Sequence, residues 1–392
     1  MTKNSMWRKI SDLIPGPPNY IINWDGIMET PVGSFLEKMK ETEQNPVWHG
    51  EGNVFNHTRL VCRQLTSFAE YRNLPEDDRR IMFLSALLHD IGKIPTTRME
   101  DSAWTSPNHS QVGAQMAREL LWREFGLSGS DEAIDIRESI CFLVRYHMIP
   151  VRILDEKKPE ARLFKIASAG ELAKAFTMRK LCLLSRADVT GRYANDLKES
   201  EEKVEMCVSL AAECDCLDHP RVFASDYTRR AYFMGKSVLP DQALYDNTWG
   251  EVIVMCGLPG TGKDTWIRKN YPDYPTVSLD DIRRKMGVKH TDDQGRIVQA
   301  ANEQAREYLR KKQPFIWNAT NLTRMTRDRI VRLIEGYYAS VRIVYLETEL
   351  DEQFKRNESR EAVVPVNAVF RMLSNLSLPE AYEAAKVEWI CV

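Results

Sequence analysis

A glycine-rich segment at residues 257–265 constrains the fold more than any other feature of this 392-residue chain. It reads Gly-Leu-Pro-Gly-Thr-Gly-Lys-Asp-Thr and directly follows the apolar run at 252–256. A G-x-x-x-x-G-K motif between a strand and a helix is typical of a phosphate-binding loop, in which backbone N–H groups and the helix N-terminus hold an anion. Lys263 would reach the β- and γ-phosphates of a nucleotide. The sequence therefore predicts a strand, an anion-binding loop and a helix here.

The pattern of apolar residues along the chain changes near residue 249. The part before it has apolar residues at helical spacing and no useful alternation with period two. The part after it has short β-branched runs that alternate with helices, which predicts a parallel sheet. The predicted helices cover 80–89, 112–125, 134–148 and 171–189, and the predicted strands cover 252–256, 276–278, 315–317 and 341–346. We expect an all-α domain at 1–216, a linker at 217–248, and an α/β domain at 249–392 whose parallel sheet is flanked by helices.

Composition excludes some classes of protein. The chain is 43% apolar and 28% charged, as expected for a globular protein, and its net charge of −2 gives no global attraction to nucleic acid. No stretch approaches the roughly 18 apolar residues of a membrane span. Residues 1–10 are polar and lack the apolar segment that a signal peptide needs, and the eight cysteines lie mostly in apolar runs. We therefore expect a cytoplasmic protein that does not bind membranes.

Two positions depart from the usual phosphate-binding site. Asp264 stands where the motif has a magnesium-binding Ser or Thr, and Asn318 stands at a strand end where P-loop kinases carry an Asp. One interpretation is that the metal-binding carboxylate lies on the loop, at Asp264, and no longer at the strand end, at Asn318. The two side chains would then hold Mg²⁺ together. The other is that Asp264 only caps the helix. Both interpretations stay open at this point.

Other charged residues fit phosphoryl transfer. Asp280 follows the second apolar run of this half, where it can accept a proton from an attacking hydroxyl, and Arg283 can hold a neighbouring phosphate. Arg356 and Arg360 lie four residues apart, so a helix places them on one face, which suits a clamp on transferring phosphates.

The series Gly-Leu-Pro-Gly-Thr-Gly-Lys, Leu-Asp-Asp-Ile-Arg, Ala-Thr-Asn-Leu, Lys-Arg-Asn-x-x-x-Arg and Val-Pro resembles the 5′-OH polynucleotide kinase family over about 249–392. The resemblance implies ATP or another NTP as donor, with Mg²⁺. It implies Asp280 as general base, Arg283 on the acceptor's phosphate, and Arg356 with Arg360 on the donor phosphates. We expect Thr320 and Asn321 at the acceptor as well. The expected ATP- and phosphate-binding residues in the loop are Gly257, Pro259, Gly260, Thr261, Gly262, Lys263, Asp264 and Thr265.

A second constellation lies in the N-terminal half. A His-Asp pair at the end of a predicted helix points two metal-ligating side chains at one place, and single histidines on later helices can complete a site for one or two ions. Because imidazole suits transition metals better than Mg²⁺, we expect Mn²⁺, Fe²⁺, Co²⁺, Ni²⁺, Cu²⁺ or Zn²⁺ here. The candidate ligands, in chain order, are His57, His89, Asp90, His109, His147 and Asp188.

This order resembles the HD superfamily of phosphohydrolases. The resemblance implies a first metal on His57, His89, Asp90 and Asp188, with Asp90 bridging to a second metal on His109 and His147. It also implies that Lys93 contacts the scissile phosphate, which is the role we expect; the alternative is a lysine that caps the helix C-terminus. The stretch 44–52 resembles the HD domains of tRNA nucleotidyltransferases, and His49 within it either touches substrate or orders the loop.

The whole chain resembles bacterial fusions of an HD domain and a polynucleotide kinase that heal RNA ends. This implies a 5′-OH kinase joined to a 2′,3′-cyclic phosphodiesterase and 3′(2′)-phosphatase. The expected partners are RNA ends and an RNA ligase, with DNA ends and a second copy of the chain left open. Two alternatives also stay open: a small-molecule kinase joined to an HD nucleotidase, and a nucleic-acid-responsive signalling protein switched by NTP.

Overall fold

The computed structural model describes residues 3–288, 294–359 and 363–392. The chain divides into two compact units. The first, called the helical unit below, comprises Met1–Ser128 and Glu132–Arg221. The second, called the sheet unit, comprises Gly129–Asp131 and Val222–Val392.

Helices build almost all of the helical unit. They are α1 (Lys3–Ser11), α2 (Trp24–Met28), α3 (Gly33–Lys40), α4 (Val54–Ser67), α5 (Ala69–Arg72), α6 (Glu76–Leu88), α7 (Lys93–Thr96), α8 (His109–Arg123), α9 (Asp131–Tyr146), α10 (Ile149–Arg152), α11 (Pro159–Ala167), α12 (Met178–Thr190) and α13 (Leu197–Glu213), with 3₁₀ turns at Ile153–Asp155 and Ser168–Glu171. One short antiparallel hairpin, β1 (Arg98–Glu100) with β2 (Ala103–Thr105), interrupts them. Both of its turn residues, Asp101 and Ser102, have positive φ, as two-residue hairpin turns require.

Helix α6 is the central helix of this unit. Its residues 81–88 are all buried, so it is apolar on every side, as a helix surrounded by others must be. It packs against α4 and α12. The helix ends at His89, and the chain then turns through Gly92 into α7. The His-Asp pair therefore lies at the end of the most enclosed helix.

The sheet unit alternates strands and helices. Its elements are α14 (Asp226–Phe233), β3 (Glu251–Cys256), α15 (Lys263–Asn270), β4 (Thr276–Ser278), α16 (Leu279–Met286), α17 (Gly295–Arg310), β5 (Ile316–Asn318), α18 (Arg324–Glu335), β6 (Ser340–Glu347), α19 (Leu350–Glu358), α20 (Val366–Ser374) and β7 (Lys386–Cys391), with a 3₁₀ turn at Ala381–Glu383. The five strands lie in the order β4-β5-β3-β6-β7, and every pairing is parallel. The predicted fold class, a helical domain followed by a parallel sheet flanked by helices, is confirmed.

Strand β3 forms the centre of this sheet. All its residues after Glu251 are buried, as expected for a parallel strand covered on both faces. Ile253 and Met255 join one apolar cluster with Ile267 of α15 and with side chains of β5 and β6. Because the strands are parallel, the carboxyl ends of β3, β4 and β5 lie at one edge of the sheet, where ligands bind in such folds.

The segment predicted as a linker, 217–248, contains helix α14. Arg230 on this helix donates to both carboxylate oxygens of Glu335, at 2.6 and 2.9 Å, and Arg229 donates to the backbone oxygen of Ala385 at 2.6 Å. Residues from 222 onward therefore pack as part of the sheet unit. Within the described residues, none of the helices has the length and apolar character needed to cross a membrane.

Candidate metal centre and phosphate-binding loop

Four side chains of the helical unit converge on one point. His57 Nε2 on α4 lies 2.9 Å from Asp188 Oδ1 on α12 and 3.2 Å from His89 Nε2. His89 Nε2 lies 3.3 Å from Asp90 Oδ2. Ligand atoms that share one ion at about 2.1 Å each are roughly 3.0–3.5 Å apart. The four side chains thus have the spacing of a single divalent-ion site.

A second group lies on the other side of Asp90. Asp90 Oδ1 is 3.5 Å from His109 Nε2 and 3.9 Å from His147 Nε2. The two oxygens of Asp90 therefore face two different sets of histidines, which is the arrangement of a carboxylate that bridges two ions. The six side chains come together as the sequence order suggests.

Backbone carbonyls fix the tautomers of three of these histidines. In each case Nδ1 lies within hydrogen-bonding distance of an oxygen that can only accept, so Nδ1 carries the proton and the lone pair of Nε2 points into the site. The pairs are His89 with Ala86 at 2.7 Å, His109 with Ser106 at 2.8 Å, and His147 with Val144 at 2.7 Å.

The polar atoms of this centre fit a bound cation. Asp90 Oδ1 and His109 Nε2 are buried without a hydrogen-bond partner among the described residues. Such atoms are costly to bury unless a further group satisfies them. Four of the six side chains are imidazoles and two are carboxylates, which together suit one or two divalent transition-metal ions.

Burial and charge perturb the titration of the ligands in opposite directions. Burial lowers the pKa of His147 to about 4, so its imidazole is neutral at physiological pH. Burial also lowers the pKa of His57, but hydrogen bonds to Asp188 and Glu51 outweigh it and raise that pKa to about 9. Burial raises the pKa of Asp90, but the charge of Lys93 and the nearby histidines hold it well below the usual range.

Lys93 belongs to the same centre. Its Nζ lies 2.7 Å from Asp90 Oδ2 and donates to Gln44 Oε1 at 2.8 Å. Lys93 is the first residue of α7, and its side chain is largely buried. Its contact with Asp90 directs its charge at the ligands. Gly92, the residue before it, makes room for α8, because a Cβ there would lie 2.0 Å from the backbone oxygen of His109.

Glu51 is a part of this centre that the sequence alone did not identify. Its Oε1 lies 3.0 Å from Nδ1 of His57 and 2.9 Å from Nδ1 of His49, and its Oε2 accepts from the backbone N–H of Tyr193 at 2.9 Å. Glu51 therefore orients His57 in the way that the carbonyls orient the other histidines. It lies in the stretch 44–52, in which the sequence pointed to His49 as the candidate residue.

The glycine-rich loop of the sheet unit joins β3 to α15 as predicted. Gly257, Gly260 and Gly262 all have positive φ, which favours glycine at each position. At Gly260 there is also no room for a side chain, since a Cβ would lie 2.7 Å from the backbone oxygen of Gln353. The Gln353 amide in turn donates to the backbone oxygen of Pro259 at 2.9 Å.

Two further contacts hold the loop. Thr261 Oγ1 donates to the oxygen of Leu258 at 2.9 Å. Lys263 Nζ donates to the oxygens of Gly257 and Leu258, at 2.9 and 2.8 Å, so its charge lies over the loop. Thr265 is exposed on α15, where its hydroxyl accepts from Arg268.

Asp264 and Asn318 lie side by side. The Asn318 amide, at the end of β5, donates to Asp264 Oδ1 at 2.6 Å. The N-cap of α15 is Gly262, and Asp264 lies in the first turn. A carboxylate and an amide oxygen held together beside a phosphate-binding loop are ligands that Mg²⁺ accepts. The contact fits a shared metal shell, while the position of Asp264 in the first turn also suits a role at the helix N-terminus.

Asp280 and Arg283 follow β4 at the same edge of the sheet. Asp280 is exposed and forms an ion pair with Arg283. Arg283 Nε also donates to Gln294 at 3.1 Å. In the sheet, β4 lies next to β5, and β5 lies next to β3, which leads into the loop. Asp280 and Arg283 are therefore at the same sheet edge as the loop, at a position where an acceptor could meet the transferred phosphate.

Helix α19 brings Arg356 to the loop. A Cβ on Gly262 would lie 3.3 Å from Arg356 Nη1, and Arg356 Nε donates to Glu352 at 2.9 Å. Arg360 lies outside the described residues. Gln353 and Asn357 of the same helix also approach Gly260, and their role in shaping the loop was not expected from the sequence.

Asn321 is placed differently from the prediction. The Asn321 side chain is buried, and its amide donates to the oxygen of Met255 in β3 at 2.7 Å. The backbone oxygen of Thr320 accepts from Gly257 N–H at 3.0 Å. Because the Asn321 amide is occupied by the strand, this residue supports the loop rather than reaching an acceptor.

Two family models match the parts of the chain that contain these sites. Residues 54–171 match the family model of the HD domain, and residues 252–379 match a model described as an AAA domain. The chain joins an HD domain to a P-loop kinase-like domain. A gluconokinase from Sinorhizobium meliloti 1021 is 18% identical, with a TM-score of 0.28, over 37% of this chain and 83% of its own.

Both matches cover the sites described above. The HD match contains five of the six candidate ligands and Lys93, and Asp188 follows it on α12. The match to the kinase-like domain runs from β3 through the loop and α19. The chain is thus an enzyme with the elements of phosphoryl transfer in one domain and of phosphate ester hydrolysis in the other.

Proposed function

We propose that this chain heals broken RNA ends, phosphorylating the 5′-hydroxyl with ATP and converting the 2′,3′-cyclic phosphate to a free 2′,3′-diol. The observation that carries the proposal is the presence of both sites in one chain. RNA that breaks by internal transesterification carries these two ends, and ligases that join a 5′-phosphate to a 3′-hydroxyl need both ends changed. An enzyme that adds phosphate at one end and removes it at the other prepares both ends of such a break for sealing.

In the kinase-like domain the residues have distinct roles. Loop N–H groups, Lys263 and Arg356 would hold the donor phosphates and stabilise charge on the transferred group. The Asp280 carboxylate would take the proton from the 5′-hydroxyl as that oxygen bonds to phosphorus, and Arg283 would bind the acceptor's own phosphate. Asp264 and Asn318 would hold Mg²⁺, which neutralises phosphate charge when bound.

In the HD domain the six ligands would hold one or two ions, which supply an activated water and neutralise phosphate oxygens when bound. Lys93 would contact a phosphate oxygen and balance the charge that develops there. Addition of water to phosphorus breaks one ester bond of the cyclic phosphate and leaves a monoester. A second hydrolysis releases inorganic phosphate and leaves the diol.

A second candidate is a small-molecule kinase joined to a nucleotidase. The net charge of −2 favours it, because a protein that neutralises many RNA phosphates usually carries a basic surface. A polynucleotide kinase that grips only the terminal phosphates needs few such contacts, so the RNA proposal survives this argument.

The test is transfer of labelled γ-phosphate from ATP to a 5′-OH RNA oligonucleotide, with a mononucleoside as competitor. We expect the oligonucleotide to be labelled and the nucleoside to compete poorly. Hydrolysis of an oligonucleotide that ends in a 2′,3′-cyclic phosphate is measured in parallel. Labelling of the nucleoside alone would favour the small-molecule kinase, and nucleotide binding without any transfer would favour the switched signalling protein.

Two variants separate the sites. Lys263→Ala should abolish 5′ phosphorylation and spare hydrolysis of the cyclic end, while Asp90→Ala should do the reverse. Each variant serves as the folding control for the other. Loss of both activities in either folded variant would refute two independent sites.

A further inference from the structure

The loop of residues 44–51 is anchored to the metal centre at both ends. At its start, Gln44 accepts a hydrogen bond from Lys93, and at its end Glu51 contacts Nδ1 of His57. Between these anchors, Val47 and Trp48 point outward, with 65% and 48% of their surface exposed. These two apolar side chains therefore lie in a short loop whose end residues both contact the metal centre.

A second exposed aromatic residue is tied to the same loop. Tyr193 follows α12, the helix that carries Asp188, and is 63% exposed. Its backbone oxygen accepts from Gly50 N–H at 2.9 Å and its N–H donates to Glu51 Oε2 at 2.9 Å. A Cβ on Gly50 would lie 3.2 Å from Tyr193 Cβ, so the side chain of Tyr193 begins against the loop.

Neither aromatic ring is covered by another ring in the part of the chain that the structure describes. This differs from Trp24 in the same unit, which packs edge-on against Phe55 at 6.1 Å with the Arg59 guanidinium over both rings. Exposed Trp and Tyr side chains on anchored backbone are suited to stacking against planar groups. The planar groups that accompany a phosphate ester at an RNA end are nucleobases.

We propose that Trp48 and Tyr193 form a nucleobase-binding platform beside the HD metal centre, on which the last bases of the RNA 3′ end stack while the terminal phosphate occupies the ligands. Stacking tolerates any base, because every base has a flat face, so the platform selects an RNA end without selecting its sequence. It also needs no basic surface, which agrees with the net charge of −2. The inference rests on the proposed hydrolysis of RNA 3′ ends.

The test compares two substrates in Trp48→Ala, Trp48→Phe and Tyr193→Ala. One is an RNA oligonucleotide ending in a 2′,3′-cyclic phosphate, and the other is p-nitrophenyl phosphate, which has no nucleobase. Losing one stacked base corresponds to about a tenfold to hundredfold weaker interaction. In Trp48→Ala we therefore expect the ratio of kcat/KM for RNA to that for p-nitrophenyl phosphate to fall at least tenfold, through KM. Trp48→Phe should restore most of the ratio.

Met99→Ala is the matched control, since Met99 is 53% exposed on the hairpin of the same unit. It should leave the ratio unchanged. An unchanged ratio in Trp48→Ala, or equal losses on both substrates, would overturn the platform. Failure of the unaltered protein to hydrolyse any RNA 3′ end would instead refute the proposed function. Unchanged RNA kinetics with loss of binding to another protein would identify a protein-docking surface instead.

Discussion

Substituting Gly92 by Ala should disable the HD centre through geometry alone. A Cβ at this position would lie 2.0 Å from the His109 backbone oxygen and 2.5 Å from Gly113 N, whereas real Cβ contacts are essentially never below 3.0 Å. The backbone at Gly92 and the start of α8 must therefore move apart by about 1.0 Å. Metal sites tolerate about 0.2 Å in ligand position. We expect His109 to leave the second group and metal affinity there to fall by about tenfold to hundredfold.

The assay is metal content per chain after dialysis against a limiting Mn²⁺ or Zn²⁺ buffer, with hydrolysis of a 3′-phosphate as second readout. Overpacking should also cost about 1–3 kcal/mol of stability in this domain. Gly113→Ala is the control, because its nearest contact would be 3.2 Å from Gly92 N, which needs only a few tenths of an ångström. Kinase activity reports that the rest of the chain is folded. Full metal content and hydrolysis in Gly92→Ala would refute this reasoning.

Two other predictions concern charge in each domain. Asp264→Ala should impair the kinase about as severely as Lys263→Ala, Asp264→Ser alone should be poor, and adding Asn318→Asp to it should recover much of the activity by restoring a carboxylate beside the loop. A double-mutant cycle on kcat measures this coupling, and strictly additive losses would return Asp264 to a capping role. In the HD domain, the raised pKa of His57 stabilises the metal-free protein below its ordinary value of 6.5, and this stabilisation is lost as the pH rises through about 9. Because metal binding must displace that proton, the apparent affinity for the metal should rise about tenfold per pH unit from neutrality to about 9 and then level off. Competition titrations with a chromophoric chelator measure this affinity. An affinity that does not depend on pH would contradict the prediction.

Periodicity and motif order were sufficient for the architecture. The four predicted strands correspond to β3, β4, β5 and β6 within one or two residues, because buried parallel strands are continuous apolar runs bounded by polar turns. Strand β7 (Lys386–Cys391) was missed, since its residues are mostly half-buried and alternate with charge at an edge of the sheet. The helix predicted at 171–189 begins only at Met178, after a 3₁₀ turn.

Some residues of the two sites could be identified from the sequence, and others could not. The six ligand candidates were recognisable because histidine and aspartate in this order have few other uses. Glu51 and Gln353 were not, because a buried carboxylate or amide gains its role from partners distant in the chain, such as Tyr193, 142 residues away. Asn321 shows the converse: its place in a motif predicted contact with the acceptor, while its bond to Met255 ties it to the strand.

The metal ligands are spread widely along the chain, and this determines when the metal centre can form during synthesis of the protein. His57 and Asp188 touch at 2.9 Å although 131 residues separate them in the chain. The centre therefore forms only when nearly the whole helical unit has left the ribosome, and a partly synthesised chain carries no hydrolase that could attack cellular phosphate esters. All six ligands nonetheless precede the phosphate-binding loop, so metal uptake can stabilise the first domain while the second is still being made. The loop at 257–265 is synthesised only after all six ligands.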